Sequence, residues 1–335
     1  MPIRLFARIR GFLARLFRRA PAPGRFESGT TGSWKGWLAS APLVLPRRDY
    51  LVYLPGGHSR WRRAPVLVLC HGCRQTPEDI AAATRITALA DAQGWIVLLP
   101  RQKESANPWR CWNWFDARTA DGTGESAILL AQLDAVRHAY RADSARVIVA
   151  GMSAGGALAA ALSLRHAAAV RGVFVHSGLA CGAAAAPVSA VTVMKRGPDT
   201  DVEAIASEAR RQMAVPPRLP ICVVHGASDD VVAPVNAVAL VRQYLRLNDH
   251  AALARPLAAG DDGLPPADRE SRETLGGRAV RTRDWVDGAR LVARYVSVDG
   301  LAHAWSGGDP QFAFNDPAPP VATEILARFA AEVIA

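Results

Sequence analysis

The sequence predicts an α/β fold: a mostly parallel sheet with helices on both faces. Short apolar runs such as VLVLC (66–70) and WIVLL (95–99) alternate along the chain with longer helical stretches. Runs without polar alternation belong to strands buried on both faces, as parallel strands are. The 335 residues, half of them hydrophobic, suffice for one large domain of this class.

The first 24 residues stand apart. Leu5, Ile9, Phe12, Leu13 and Leu16 fall on one helical face, and Arg4, Arg8, Arg15 and Arg18 on the other. A basic amphipathic helix of this kind lies on an anionic surface, a membrane or a lipid-coated granule. A disordered or self-packed leader is the alternative. Arginines interrupt any apolar core of a secretory signal and no clean small-residue cleavage site follows, which points to a cytoplasmic protein or one peripheral on such a surface. Residues 1–26 hold seven arginines and no acid, so the formal charge of +10 falls to +3 for the rest. That distribution argues against a nucleic-acid partner. Residues 25–47, rich in Gly, Ser and Trp, read as a linker, and the domain proper spans 48–335.

Within that domain, strands are expected at 49–54, 66–70, 95–99, 146–150, 172–176, 220–224 and 291–298. Helices are expected at 78–92, 124–140, 154–166, 234–247 and 321–334. Three stretches break the rhythm: 101–123 with Trp109, Trp112 and Trp114, the small and polar 177–215, and 249–290, rich in Gly, Asp and Arg. Ligands of open α/β sheets bind beyond the carboxyl ends of the strands, where such loops would wall a site.

The stretch RVIVAGMSAGGALAAAL (146–162) runs from apolar strand to helix through Gly-Met-Ser-Ala-Gly. A serine at such a corner has its Oγ pushed out above the sheet, which is the nucleophile elbow of α/β-hydrolases. A serine hydroxyl needs a base, and the base an orienting acid; in this fold they follow in the order Ser, acid, His. After 220–224 comes HGASDDVV, offering Asp229 or Asp230. After 291–298 comes GLAHAWSGG, offering His303. Developing oxyanion charge needs backbone donors, expected from Ala154 and from Cys73 in the His71-Gly72-Cys73 turn. His71 itself reads as structural, holding that turn. Cys70 and Cys73 have the CxxC spacing of a redox pair or half a metal site, but no second pair or thioredoxin-like context accompanies them. No metal or cofactor is expected.

Together, HGCRQTPEDIAAATRITALADAQGWIVLLP, NPWRCWNWF, GMSAGGALAA, VHSGL, HGASDDVV and GLAHAWSGG resemble the poly(3-hydroxybutyrate) depolymerase-type esterase family, over about residues 48–333. The resemblance implies an α/β-hydrolase fold and cofactor-free ester hydrolysis by Ser153, Asp229 and His303, with Asp229 rather than Asp230 as the acid. The family's H-G-C and C-W-N-W cysteines are here Cys73 and Cys111, which implies a disulfide, with Cα atoms roughly 4.4–6.8 Å apart; in a reducing cytosol it would not persist. Many members are secreted, and this chain departs from them in lacking a clear signal peptide. Trp112 and Trp114 either form an apolar platform for the substrate or pack their loop; Trp305 either contacts substrate or braces the histidine loop. The expected activity is hydrolysis of poly- or oligo(3-hydroxyalkanoate) esters. Feruloyl or acetylxylan ester cleavage is the second reading, and a non-catalytic surface-binding protein with a hydrolase fold the third.

Overall fold

A computed structural model describes residues 23–32, 47–59, 61–257 and 262–334. Residues 1–22, and with them nearly all of the proposed leader, lie outside the described residues.

Ten strands form one sheet in the order β1-β2-β4-β3-β5-β6-β7-β10-β9-β8. They are β1 (Arg25–Gly32), β2 (Arg47–Leu54), β3 (Ala64–Cys70), β4 (Ile96–Pro100), β5 (Ala142–Met152), β6 (Gly172–His176), β7 (Ile221–Gly226), β8 (Arg269–Leu275), β9 (Arg278–Asp287) and β10 (Arg290–Val298). The six central strands, β4-β3-β5-β6-β7-β10, are parallel. The two at each margin pair antiparallel. Side chains alternate across the sheet, so β3 sends Val66 and Val68 into one core and Leu67 and Leu69 into the other. The short α3 (Ala117–Ala120) and helices α4 (Gly124–Tyr140), α5 (Ala154–Arg165), α7 (Val202–Arg211) and α8 (Val235–Leu247) close the first core; α1 (Pro77–Ala83), α2 (Ile86–Gln93) and α9 (Ala322–Ile334) close the second.

Four expectations need correction. The helix expected over 78–92 is two helices, broken at Arg85, which sits left-handed at φ 54°. The stretch 25–47 is not simply a linker: β1 pairs with β2 from Arg25↔Leu54 to Gly32↔Arg47. Its sequence RFESGTTG has no apolar run because an edge strand needs only one packed face. Phe26 meets Tyr53 edge-on at 5.0 Å, and Tyr140 donates to Glu27 at 2.7 Å. The irregular 249–290 stretch contains the hairpin β8–β9, turned by Gly276 and Gly277 at φ 57° and 80°. Positive φ at both turn residues is the hairpin geometry that glycine permits. Likewise 177–215 contains α6 (Pro187–Arg196) and α7.

Candidate active site

Cys73, Ser153, Asp229 and His303 follow the carboxyl ends of β3, β5, β7 and β10, all in the parallel centre of the sheet. Ser153 follows β5 directly, with φ 56° and ψ −125°. A non-glycine residue there is strained, and such strain concentrates at functional sites. The neighbouring glycine is required by contact: a Cβ on Gly155 would lie 2.3 Å from the Cys70 carbonyl oxygen and 2.4 Å from that of His71. Helix α5 therefore begins against the backbone of the turn after β3, and every residue from Ala154 to Leu164 is buried.

That turn lies over the serine. A Cβ on Gly72 would come 3.6 Å from the Ser153 Cβ. The turn is fixed from several sides. The Gly72 N–H donates to Gln75 Oε1 at 2.8 Å, and the Arg74 N–H to the Trp109 carbonyl at 2.7 Å. His71 donates from Nδ1 to the Gly72 carbonyl at 2.7 Å and accepts the Gln102 N–H at Nε2, 3.2 Å. Burial pulls its pKa down to about 4, so it stays neutral, in the structural role expected of it. Among the described residues, neither the Cys73 nor the Ala154 N–H meets a protein acceptor. Both remain available to a ligand oxygen.

Cys73 is bonded to Cys111 as expected, with Cα atoms 4.2 Å apart, just below the expected range's lower limit of about 4.4 Å. The CxxC pair is thereby split. Cys70 ends β3 as a free, buried thiol that burial pushes far above its usual range. The loop carrying Cys111 is held from below by Glu125 of α4, which accepts the Asn113 N–H at 2.7 Å and Asn113 Nδ2 at 3.0 Å. Burial raises the Glu125 carboxyl pKa, and the hydrogen bond from Gln102 works against that rise. Gln102 Nε2 also donates to the Cys111 carbonyl at 3.0 Å.

Asp229 and His303 meet across the next two strand ends, with Nδ1 2.8 Å from Asp229 Oδ2. The other carboxylate oxygen accepts the N–H groups of Val231 at 3.0 Å and Val232 at 2.8 Å. Burial pushes the Asp229 carboxyl up, but the hydrogen bond and charge of His303, then His225, outweigh it and leave the pKa lowered. Asp230 is exposed, and its backbone carbonyl accepts from Lys195. The two loops touch backbone to backbone: a Cβ on Gly226 would lie 2.1 Å from the Leu301 carbonyl oxygen.

Of the two readings open for the three tryptophans, substrate contact and packing, their burial supports packing. Trp112, Trp114 and Trp305 are 2%, 5% and 1% exposed. Trp112 donates its indole N–H to the His71 carbonyl at 3.0 Å, bracing the turn after β3. Trp114 packs edge-on against Phe115. Trp305 donates to Thr323 Oγ1 at 3.2 Å and stacks on His176. The Trp112 and Trp305 indole N–H groups find polar partners inside the protein, and the burial of all three rings leaves none as an open platform.

Sequence reasoning missed His176, the last residue of β6. Its carbonyl accepts the Ser153 N–H at 2.9 Å, and its Nε2 accepts the Ser306 N–H at 3.3 Å. One residue thus holds both the serine corner and the histidine loop. Its only sequence signal was its place at a strand end in VHSGL.

A family model described as Esterase PHB depolymerase matches residues 48–262. Poly(3-hydroxyalkanoate) depolymerase C of Paucimonas lemoignei is 28% identical over 290 residues, covering 80% of this chain and 66% of that protein. Feruloyl esterase B of Neurospora crassa is 28% identical over 191 residues, 53% of this chain and 63% of that protein. The chain thus spans just under two thirds of the length of these relatives. Among solved structures, an acetyl xylan esterase from Aspergillus awamori superposes with a TM-score of 0.62 at 19% identity, over 76% of this chain and 89% of that one. That likeness is one of fold.

Proposed function

The chain belongs to the Esterase PHB depolymerase family, and from that premise we propose that it hydrolyses carboxylic esters through an acyl-enzyme on Ser153. The observation that carries this reading is the buried 2.8 Å bond from His303 to Asp229, in a sheet whose β5 ends on a serine held at φ 56°. Asp229 fixes the His303 tautomer with the proton on Nδ1, leaving Nε2 as the base. His303 takes the Ser153 proton as Oγ bonds to the ester carbonyl carbon. The carbonyl oxygen becomes an oxyanion facing the Cys73 and Ala154 N–H groups. Collapse breaks the bond to the alcohol oxygen, which leaves with the proton from His303. Water then repeats the sequence: His303 takes its proton, the carboxylic acid departs, and Ser153 regains its hydrogen.

For substrate, we propose oligomeric or polymeric 3-hydroxyalkanoate esters. The match to the Paucimonas lemoignei depolymerase over 80% of this chain supports this, against 53% for the feruloyl esterase. The test compares a short p-nitrophenyl ester, 3-hydroxybutyrate oligomers, methyl ferulate and acetylated xylan, each with wild type and Ser153→Ala. Wild type is expected to cleave the p-nitrophenyl ester and the oligomers fastest, and Ser153→Ala neither. Faster cleavage of ferulate or acetylxylan overturns the substrate reading. Inertness toward every ester overturns the esterase reading in favour of a non-catalytic protein.

A further inference from the structure

Beside His303 lies an aromatic ring that packing does not account for. Phe314 is 37% exposed, whereas Trp112, Trp114 and Trp305 are each at most 5% exposed. Its ring stands edge-to-face with that of His303, 6.3 Å between centroids at 76°. Its backbone is left-handed, at φ 61°, a conformation that costs a bulky residue dearly and survives only where the surroundings impose it.

The surroundings here do impose it. The Phe314 carbonyl accepts the Trp305 N–H at 2.8 Å, tying the segment to the histidine loop. The Asn315 side chain folds back, donating to the Ala313 carbonyl at 2.9 Å and that of Phe312 at 3.3 Å. Gln75, which accepts the Gly72 N–H, reaches the Ala313 carbonyl from the other side at 3.5 Å. The segment therefore spans the space between the base loop and the turn over Ser153, and its strained residue presents a phenyl ring rather than the glycine or asparagine that such a φ favours.

Reaction geometry says what that ring faces. In the mechanism above, on which this inference rests, His303 returns its proton to the departing alcohol oxygen. That oxygen must come within about 2.6–3.2 Å of Nε2, so the carbon it carries lies beside the His303 ring. We propose that Phe314 forms the wall of the subsite for the alcohol half of the ester, and that this subsite takes an apolar alkyl alcohol.

The test separates the two halves of the substrate. One series holds the acyl group constant: methyl, butyl and cyclohexyl acetate. The other holds the alcohol constant: methyl acetate, methyl butyrate and methyl ferulate. Phe314→Asn removes the ring with a residue that accepts the left-handed backbone, and Phe314→Leu keeps an apolar side chain; thermal melts establish that both are folded. Wild type is expected to favour butyl and cyclohexyl acetate over methyl acetate by about ten-fold or more in kcat/KM. Phe314→Asn is expected to erase that preference while leaving the ratios within the acyl series unchanged, and Phe314→Leu to retain part of it. A changed acyl-series ratio would place the ring on the acyl side. An equal loss on all five esters would make Phe314 a brace for His303 only, and no change would remove it from the site. Each of these overturns the proposal. Wild-type inertness toward all five would instead overturn the esterase reading, and this proposal with it.

Discussion

His176 lies against Trp305 with ring centroids 5.1 Å apart and planes 25° from parallel. The stack fixes the imidazole where its Nε2 meets the Ser306 N–H, three residues beyond His303. Meanwhile the His176 carbonyl holds the Ser153 N–H. His176→Phe keeps the stack but leaves the Ser306 N–H buried and unpartnered, a loss of about 1–3 kcal/mol. The loss falls on the placement of His303, so kcat is expected to drop about ten-fold or more with KM within about two-fold. A KM rise with unchanged kcat, or a collapse of the fold in thermal melts, would contradict a positioning role.

The acid is assigned by burial and by what each aspartate touches. Asp229→Asn removes the charge that orients His303 and is expected to lower kcat by about four orders of magnitude. Asp230→Asn changes an exposed side chain and is expected to retain near wild-type activity. Comparable loss in both variants, or a dead Asp230→Asn, would move the acid.

The Cys73–Cys111 bond closes a loop across 38 residues of sequence. Chain-entropy arguments give such a crosslink about 3–4 kcal/mol of stabilisation. Because it anchors the residue offering the Cys73 N–H, reduction should weaken activity as well as stability. Dithiothreitol, or Cys111→Ser, is expected to lower Tm by several degrees and kcat by more than KM. Activity indifferent to reduction would separate the bond from the site.

Acid should destabilise the fold through its buried histidines. Burial pulls His71 down to about 4 and, with the charges of His225 and His303, pulls His176 down to about 3. Below about 6.5 the unfolded chain binds protons that the native state refuses. Stability from these residues is thus complete above 6.5 and falls as pH drops toward 4, by about 1.4 kcal/mol per pH unit for each histidine. The lowered Asp229 pKa adds to the loss at the acid end, and the raised Glu125 pKa opposes it. Urea midpoints are therefore expected to fall steadily between pH 6.5 and 4.5. A flat or rising series would mean that the histidines are protonated in the native state.

The central strands and the site loops were legible because their physics is local. A strand buried on both faces has to be apolar, and a serine corner crowded against its neighbours has to carry glycine, so β3, β5 and the elbow announce themselves. The order Ser153, Asp229, His303 placed the acid and base at successive strand ends. What was illegible depends on partners far along the chain. β1 is a strand only because β2 lies beside it. The hairpin β8–β9 is made of charged residues whose pairing, such as Arg281 with Glu270 at 2.8 Å, appears only on folding. The tryptophans misled for the same reason: an aromatic in a loop looks available until its indole N–H finds a carbonyl 41 residues away, as Trp112 does at His71.

The family match begins at residue 48, after β1 has ended at Gly32. A fragment cut where the recognised family starts would keep every candidate site residue and lose the sheet's outer strand. The backbone N–H and C=O groups of β2 that β1 now occupies would be left as an open edge. Open edges recruit strands from other copies, and the edge exposed on β2, DYLVYL, is far more apolar than the RFESGTTG that covers it, so such a fragment is expected to self-associate more readily than the longer chain. For this protein, the limits of family likeness and the limits of a well-behaved folding unit are two different places in the sequence.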